Sequence, residues 1–543
     1  MESKNTSKNM RKQLKLWIGI NALLCFVFIP FIFCFAAEQP RRGGTLVVAA
    51  PKDPSTLNPA ITADGTLHHI IHDVIEGLVE VDGNWDVHPG LADSWNVSPN
   101  GLTITFHLAK NVSWHDGKPF TSKDVQFSLM EVVAKYNPTG TKVMSNVKSM
   151  DTPDDHTAVF HMKKVYAPLI SGLIPFNCPI IPRHLYEGTD ILNNPHNISN
   201  PVGTGAFKFK EWVRNDHITL VRNNDYHKAG LPYLDRIIFK IMMDPSTRAI
   251  SFEKGEVDLL GCGALGMQDF KRLASLPNVT FAPTPGDSNV VMIAINQHDN
   301  KVLANKKVRQ AIYHAIDRQF ISDKAWFGRS PPLHTPIPPV VKLFHNPNVK
   351  KYEYNPAKAN KMLDEAGYPR GANGIRFGLR LVHEAGIGWG IVPTSQTIKP
   401  MLEKVGIKVT VVPMERPVMF EKAFKNYDFD LFTTSYGLKG DPAVGVSRSY
   451  TTESITGEAF VNVVRYSNLE IDELFEKAAG TMDQNERARF YYKIQEILTE
   501  ELPYLWLYSP GNMDTNLAKS TFKNVFLTDM SAEYTKVWWT GGK

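Results

Sequence analysis

Hydrophobic and polar residues alternate along several short segments of the first half of the chain. Leu102–Leu108 (LTITFHL) alternates with a period of two, which predicts a strand with one buried face. Gly44–Ala50 and Ile237–Met242 are more continuously apolar and predict two further strands. Lys123–Lys135 has the spacing of an amphipathic helix, with Ser122 as its predicted N-cap.

The pattern starts again after a cluster of proline and glycine at Pro283–Gly286. A buried strand is predicted first, at 290–296, and helices and strands then follow one another. The predicted helices are Val308–Asp317, Pro356–Ala366, Lys399–Val405 and Gln484–Glu500, and the predicted strands are Lys408–Pro413 and Asp430–Ser435. Strands that alternate with helices predict α/β lobes, and Pro283–Gly286 is the candidate hinge between two of them.

Length and composition fit a globular protein with more than one lobe. The chain has 543 residues, of which 43% are hydrophobic and 21% charged. These values exclude a mainly disordered chain, a collagen-like chain and a protein with many membrane spans. The net charge is +5, but residues 1–37 carry five basic residues and one acidic residue. The rest is close to neutral, which argues against nucleic acid as the main partner.

Residues 1–37 have the order of an export signal. Basic residues end at Lys15, Leu16–Ala37 contains no charge, and the small residues Ala36 and Ala37 precede Glu38. An apolar stretch of this length can also span a membrane, so an uncleaved anchor remains the alternative. Pro30 and the small residues favour cleavage, which predicts a periplasmic protein.

Export changes what the cysteines mean. Cys25 and Cys34 lie in the signal, which leaves Cys178 and Cys262 in the body of the protein. An oxidising compartment permits a disulfide between these two but does not require it. Two cysteines do not build a zinc framework, and ATP and NADH are not supplied outside the cytoplasm. We expect no cofactor and no resident metal.

No motif builds a catalytic constellation. Gly261–Gly266 fits the spacing GxGxxG of a dinucleotide-binding turn, but it lies in mid-chain without a second mononucleotide-binding half. His68 and His72 are four residues apart and share a helix face, so they form a possible metal pair; a solvated histidine face is the favoured interpretation. The sequence therefore predicts a protein that is not an enzyme, with an exported hydrolase as the rival.

Seven segments in order resemble the extracytoplasmic solute-binding proteins of ABC importers, in particular the dipeptide/oligopeptide-binding family 5. They run from LADSWNVSPNGLTITFHLAKNVSWHDGKPFTSKDV (91–125) through VGTGAFKFKEW (202–212), RNNDYHKAGLPYLDRIIFK (222–240), GEVDLL (255–260), KKVRQAIYHAIDR (306–318) and YNPAKANKMLDEAGY (354–368) to YSNLEIDELFEKA (466–478). The resemblance covers nearly all of residues 43–530. Each segment alone is mostly structural. The resemblance rests on the occurrence of all seven segments in the same order.

The resemblance implies an α/β, two-lobe periplasmic-binding-protein fold of type II-like architecture. After the signal at 1–37, lobe I would span 38–285, with an extra subdomain at about 85–200, and lobe II would span 286–508. Residues 509–543 would return to lobe I. The hinge would consist of two chain crossings, near Pro283–Asn289 and Leu507–Met513.

The same resemblance implies a monomeric receptor that encloses a small solute by hinge closure. The closed receptor would deliver the solute to a permease in the inner membrane that cytoplasmic ATPase subunits drive. Peptide-like cargo is the default of the family. The alternative is a receptor for a non-peptide solute, such as an opine, a sugar conjugate or a metal or haem chelate.

Two departures from the family pattern bear on the cargo. Dipeptide-binding members hold the peptide amine with an aspartate and the peptide carboxylate with an arginine. The matching positions here are Leu438 and Ala385, neither of which can pair with a charge. A free dipeptide held at both ends is therefore disfavoured.

Other residues near this region are candidate ligand contacts. Arg448 offers a guanidinium fork for a carboxylate or phosphate, with a surface salt bridge as the alternative. Asp441 either contacts the ligand or fixes its own turn. Tyr436 and Trp389, like Tyr450, follow predicted strands, and the first two are candidates to stack on an apolar or sugar face. Asp64 is the candidate polar contact from lobe I.

Overall fold

The computed structural model of the chain describes residues 39–261, 263–282, 288–326, 328, 330–385, 390–509, 516–527 and 532–541. The predicted signal, Cys262 and Trp389 therefore lie outside the described residues. In the described part, no helix is both long and apolar enough to cross a membrane.

The first half of the chain builds a seven-stranded mixed sheet. In spatial order its strands are Val279–Ala282, Asn516–Lys519, Leu259–Leu260, Thr45–Ala50, Arg236–Ile241, His217–Arg222 and Phe207–Val213. Thr45–Ala50 runs parallel to Arg236–Ile241 with Leu46 opposite Ile237, so the two apolar strands predicted from the sequence lie side by side. One strand, Asn516–Lys519, comes from the end of the chain.

A separate four-stranded antiparallel sheet follows the first strands in sequence. Its spatial order is Ala92–Val97, Thr103–Leu108, Thr157–Met162 and Val147–Asp154. Ile104, Phe106 and Leu108 are buried while His107 is exposed, as the alternation predicts. Three two-stranded ribbons are also present among the described residues. They pair Val79–Val81 with Val87–Pro89, Phe522–Lys523 with Trp538–Trp539, and Phe526–Leu527 with Ala532–Glu533.

The second half builds a five-stranded sheet with its own core. The spatial order is Ile407–Met414, Phe377–Glu384, Leu431–Tyr436, Val290–Ile295 and Tyr504–Tyr508. Val290–Ile295 lies between two antiparallel neighbours, and all of its residues are buried. The chain passes from the first sheet to this one between Ala282 and Val290 and leaves it again after Tyr508.

Helices cover both sheets. Those of the first half are Gly65–Ile71, Ser122–Gln126, Ala134–Tyr136, Gly140–Met144, Pro168–Gly172, Arg183–Tyr186, Pro245–Lys254 and Phe270–Ala274. Those of the second half are Lys301–Ala304, Lys306–Ala315, Arg318–Trp326, Pro356–Glu365, Ile391–Lys404, Arg416–Met419, Pro442–Gly445, Leu469–Gly480 and Gln484–Glu501. Short 3₁₀ turns occupy Pro59–Ile61, Pro195–Asn197, Met267–Asp269, Ser447–Ser449 and Thr452–Ser454.

Two helical segments contain π-helical stretches. The predicted helix Lys123–Lys135 widens into a π-helical stretch at Phe127–Val133, and its N-cap is Thr121 rather than Ser122. The backbone N–H of Thr121 donates to Asp124 Oδ2 at 2.9 Å, which closes the first turn. A second π-helical stretch, Phe420–Lys425, follows a short helix of the second half.

Candidate functional site

The strand Leu431–Tyr436 ends in a loop that lies against the first half of the chain. Lys439 and Gly440 both have positive φ, at 56° and 99°. A Cβ at Gly440 would lie 2.8 Å from the carbonyl oxygen of Ser171 in the first half. Glycine is therefore required here for its backbone conformation and for the close approach of the two halves.

Polar contacts join the two halves on either side of this glycine. Asn177 Nδ2 donates to the carbonyl oxygen of Lys439 at 3.1 Å. Lys142 Nζ donates to Ser447 Oγ at 3.3 Å. Val444 packs into the core of the first half although it belongs to the second half in sequence. The loop and the short helix after it therefore form a junction between the halves, which we call the 437–449 junction.

Asp441 is held by the protein itself. It is the N-cap of the helix Pro442–Gly445, and its Oδ1 accepts from the backbone N–H of Ala443 at 2.9 Å. Both of its carboxylate oxygens lie 2.7 Å from Arg487 Nη2, and Tyr491 donates its hydroxyl at 3.1 Å. Although burial works against the guanidinium charge, the Asp441 carboxylate raises the pKa of Arg487. Asp441 therefore fixes its own turn, which is one of the two roles predicted for it.

Tyr436 is buried next to the junction, and Leu438 is buried within it. The Tyr436 hydroxyl donates to the carbonyl oxygen of Val461 at 3.1 Å, and burial raises the pKa of Tyr436. Leu438 is 1% exposed and belongs to the core of the second half. Its backbone N–H donates to Ser288 Oγ at 2.9 Å, which links the junction to the first crossing of the chain between the halves.

Arg448 differs from Asp441 because no carboxylate in the described part of the chain is paired with it. Its guanidinium carbon lies 5.5 Å from the centre of the Tyr436 ring, and its Nε donates to the carbonyl oxygen of Gly445 at 3.1 Å. Burial lowers the pKa of Arg448. Among the described residues no carboxylate forms an ion pair with it, so the predicted alternative of a surface salt bridge is wrong for this part of the chain.

Lys142 brings a second cation to the same place from the first half. Burial lowers its pKa to about 8, against a weaker opposing effect of Glu453, and the charge of Arg448 lowers it further. Sequence reasoning did not find Lys142, because it lies 305 positions from its hydrogen-bond partner Ser447. No local pattern in its segment indicates that contact.

His68 is buried near the junction and does not lie on a solvated helix face. Its side chain is buried at 1% exposure, and its ring centre lies 4.2 Å from that of Phe176. Burial lowers the pKa of His68 to about 3, so the ring is neutral. The expectation of a solvated histidine face is therefore wrong at His68. Among the described residues no group of three or more histidine, cysteine, aspartate or glutamate side chains could hold a metal ion.

The other predicted positions are Asp64, Trp389 and Ala385. Asp64 caps the helix Gly65–Ile71 through the backbone N–H of Thr66 at 2.9 Å, and it forms an ion pair with Lys52 at 2.5 Å. Trp389 falls outside the described residues. Ala385 directly follows the strand Phe377–Glu384. Cys178 is a buried free thiol whose pKa burial raises.

Comparison with known proteins identifies the family. The family model for bacterial extracellular solute-binding proteins, family 5 Middle, matches residues 86–457. The chain belongs to this family. Its members are solute-binding receptors, so the α/β two-lobe fold class predicted from the sequence is confirmed, as is the prediction of a receptor that serves an ABC importer.

Most of the chain matches curated relatives. The chain is 27% identical over 490 residues to the oligopeptide-binding protein AppA of Bacillus subtilis, covering 88% of each. It is 29% identical to Heme-binding protein A of Haemophilus influenzae, covering 86% of this chain and 87% of the relative.

A solved structure of the same family superposes over most of the chain. It is the ABC transporter-associated periplasmic binding protein DppA of Helicobacter pylori, in complex with the peptide STSA. The TM-score is 0.77 at 27% identity, covering 93% of this chain and all of DppA. The family member described here is therefore an extracytoplasmic receptor, and the identity of its solute is a separate question.

Proposed function

We propose that the protein is the periplasmic receptor of an ABC importer and that it captures a peptide or peptide-like solute between its two halves. The single observation that carries this proposal is the 437–449 junction. There Arg448 has no ion-paired carboxylate among the described residues, and Lys142 of the opposite half donates to the adjacent Ser447. A solute bound there touches both halves at once, and such contacts exist only in the closed state.

In this proposal the halves correspond to lobes. Lobe I comprises residues 38–285 with a subdomain at about 85–200, together with the return segment 509–543. Lobe II comprises 286–508. The separate cores of the two main sheets support the division, as does the passage of the chain between them after Ala282 and after Tyr508. These two passages act as the hinge.

The proposed site is centred on Arg448 and Tyr436. Arg448 pairs with an anionic group of the solute, and the neighbouring tyrosine ring forms a wall against it. Leu438 and Asp441 hold the junction in shape through their hydrogen bonds to Ser288 and Arg487. Asp64 and Trp389 stay predictions for outer contacts with the solute.

The cargo is peptide-like but is not a free dipeptide held at both ends. Leu438 is part of the core and Ala385 carries no charge, so neither position offers the partner that a peptide terminus needs. The relatives named for oligopeptides and for the peptide STSA support a longer or modified peptide. A non-peptide solute is the second candidate, supported by the relative named for heme.

The remaining parts of the proposal concern export and partners. The signal at 1–37 is removed, and the mature monomer docks on permease subunits in the inner membrane that cytoplasmic ATPase subunits drive. Amino-terminal sequencing of the exported protein should give Glu38 or Ala37 as the first residue. Recovery of the intact amino terminus in the membrane fraction would support the anchor instead.

Mass spectrometry of the natively purified protein tests the function. The expected result is one small solute per protein, released unchanged when the protein is denatured. Scattering in solution should show that the stripped protein becomes more compact when the solute is returned. A protein that retains no solute, captures none from metabolite pools and never compacts would contradict the proposal.

A further inference from the structure

Two cations from opposite halves of the molecule meet at the 437–449 junction. Lys142 lies in the helix Gly140–Met144 of the first half, and Arg448 lies in the 3₁₀ turn Ser447–Ser449 of the second. They are linked through Ser447, which accepts from Lys142 Nζ at 3.3 Å and is the neighbour of Arg448 in sequence. The positive charge of Arg448 lowers the pKa of Lys142, in addition to the larger effect of burial.

Within the described part of the chain, neither cation has a carboxylate in ion-pair contact. Lys142 donates to a serine hydroxyl and Arg448 to a backbone carbonyl oxygen, and both acceptors are neutral. The acidic residue that acts on Lys142 is Glu453, which is exposed. Most of the five N–H donors of the guanidinium therefore remain available.

This arrangement is costly for the protein alone. Both side chains are half-buried, so each unpaired charge loses part of its hydration, and bringing two like charges together adds to that cost. Burial lowers the pKa of both groups, because it disfavours the charged form of each. An anion placed between the two cations would offset this electrostatic cost. A guanidinium fork suits this role because it binds planar oxyanions with two parallel hydrogen bonds.

We propose that Lys142 and Arg448 form a clamp, one jaw on each half, that binds a single oxyanion group of the solute. The group is a carboxylate or a phosphate monoester. This inference rests on the proposed function and narrows it, because it makes the cargo an acid. The anion contacts both jaws only when the halves are closed, so its binding drives closure.

Paired probes test the clamp on protein stripped of solute. One pair is the peptide Ser-Thr-Ser-Ala as free acid and as C-terminal amide; the other is a hexose 6-phosphate and the uncharged hexose. Calorimetry measures each against wild type, Lys142→Met and Arg448→Gln. Lys148→Met and Arg489→Gln are matched controls, because both residues are exposed.

The expected result is that at least one acid binds and that its uncharged counterpart binds more than about tenfold more weakly. Either clamp variant should lose more than about tenfold in affinity for that acid, and the controls should not. Binding of the peptide acid alone identifies a carboxylate, and binding of the hexose phosphate identifies a phosphate. The affinity should also fall as the pH rises above about 8, where unliganded Lys142 loses its proton.

Three results would overturn the clamp: equal binding of acid and uncharged probes, unchanged affinity in both variants, or no binding of either acid. Native mass spectrometry then separates the two levels of the argument. A neutral solute found on the purified protein would remove the clamp and leave the receptor in place. A protein that captures no solute of any kind would remove both.

Discussion

The strongest test of the junction is the removal of one carboxylate, in the variant Asp441→Ala. Both carboxylate oxygens of Asp441 lie 2.7 Å from Arg487 Nη2, and the two side chains are 3% and 1% exposed. The substitution leaves a buried guanidinium without a counter-ion. Arg487 keeps its hydrogen bonds to the carbonyl oxygen of Ala478 and to Gln484, which are neutral and do not replace the lost charge.

The expected loss of unfolding free energy is about 4–6 kcal/mol, from a broken buried ion pair and a lost helix cap. Breaking a buried ion pair by removing one partner costs about 3–5 kcal/mol, because the other charge stays buried. The variant also removes the N-cap of the helix Pro442–Gly445, which typically contributes about 1 kcal/mol. Replacement of both partners, in Asp441→Ala with Arg487→Met, should cost less than the sum of the single changes, since no charge is then stranded.

Urea unfolding of the two single variants and the double variant measures these terms. Glu473→Gln is the control, because Glu473 pairs with Lys477 on an exposed helix face with side chains 68% and 57% exposed. A loss below about 1 kcal/mol in Asp441→Ala would refute the structural role. If solute affinity fell while stability stayed constant, Asp441 would be a ligand contact instead.

Three further changes give distinct outcomes. Burial lowers the pKa of Lys142 to about 8, so between pH 8 and 10 the unfolded chain binds more protons than the folded protein. The urea midpoint of wild type should therefore rise relative to that of Lys142→Met over this range. The same pH dependence of the midpoint in both proteins would contradict this. Because burial lowers the pKa of His68 to about 3, wild type should lose roughly 2 kcal/mol relative to His68→Leu between pH 7 and 5, measured by the same unfolding; a constant difference would be inconsistent. Gly440→Ala should expand the solute-bound protein in scattering, because its Cβ meets the Ser171 carbonyl, whereas Gly188→Ala, with φ of 74° and open space, should not; equal radii would disprove the close contact.

Much of the fold could be predicted because periodicity reports burial within one element. The strand predicted at 290–296 is observed at Val290–Ile295, and the helix predicted at Gln484–Glu500 is observed at Gln484–Glu501. The helix predicted at Lys399–Val405 is an exception, since it begins at Ile391. Pro400 lies inside it, and a proline usually marks a helix end because it lacks the N–H donor.

The site was harder to predict because its geometry depends on contacts between distant parts of the chain. Arg448 was a candidate from its chemistry and its loop. That no carboxylate within the described ranges pairs with it depends on three-dimensional packing. Lys142 gave no signal, since nothing near it in sequence indicates the opposite half. The burial of His68 depends on Phe176, which comes from another segment. Helical spacing alone cannot show such a neighbour.

The junction contains two charged side chains, Asp441 and Arg448, in different electrostatic environments. This difference affects the balance between the open and closed states of the receptor. Asp441 is neutralised by Arg487 within the second half, so that pair stabilises the lobe whether or not a solute is bound. Arg448, a few residues further along, faces another cation across the boundary between the halves and receives no such partner from the described residues. A charge cost that only closure creates favours the open state of the empty receptor. An anionic solute reverses this preference by supplying the missing partner, so the same two side chains both resist empty closure and hold the loaded receptor shut.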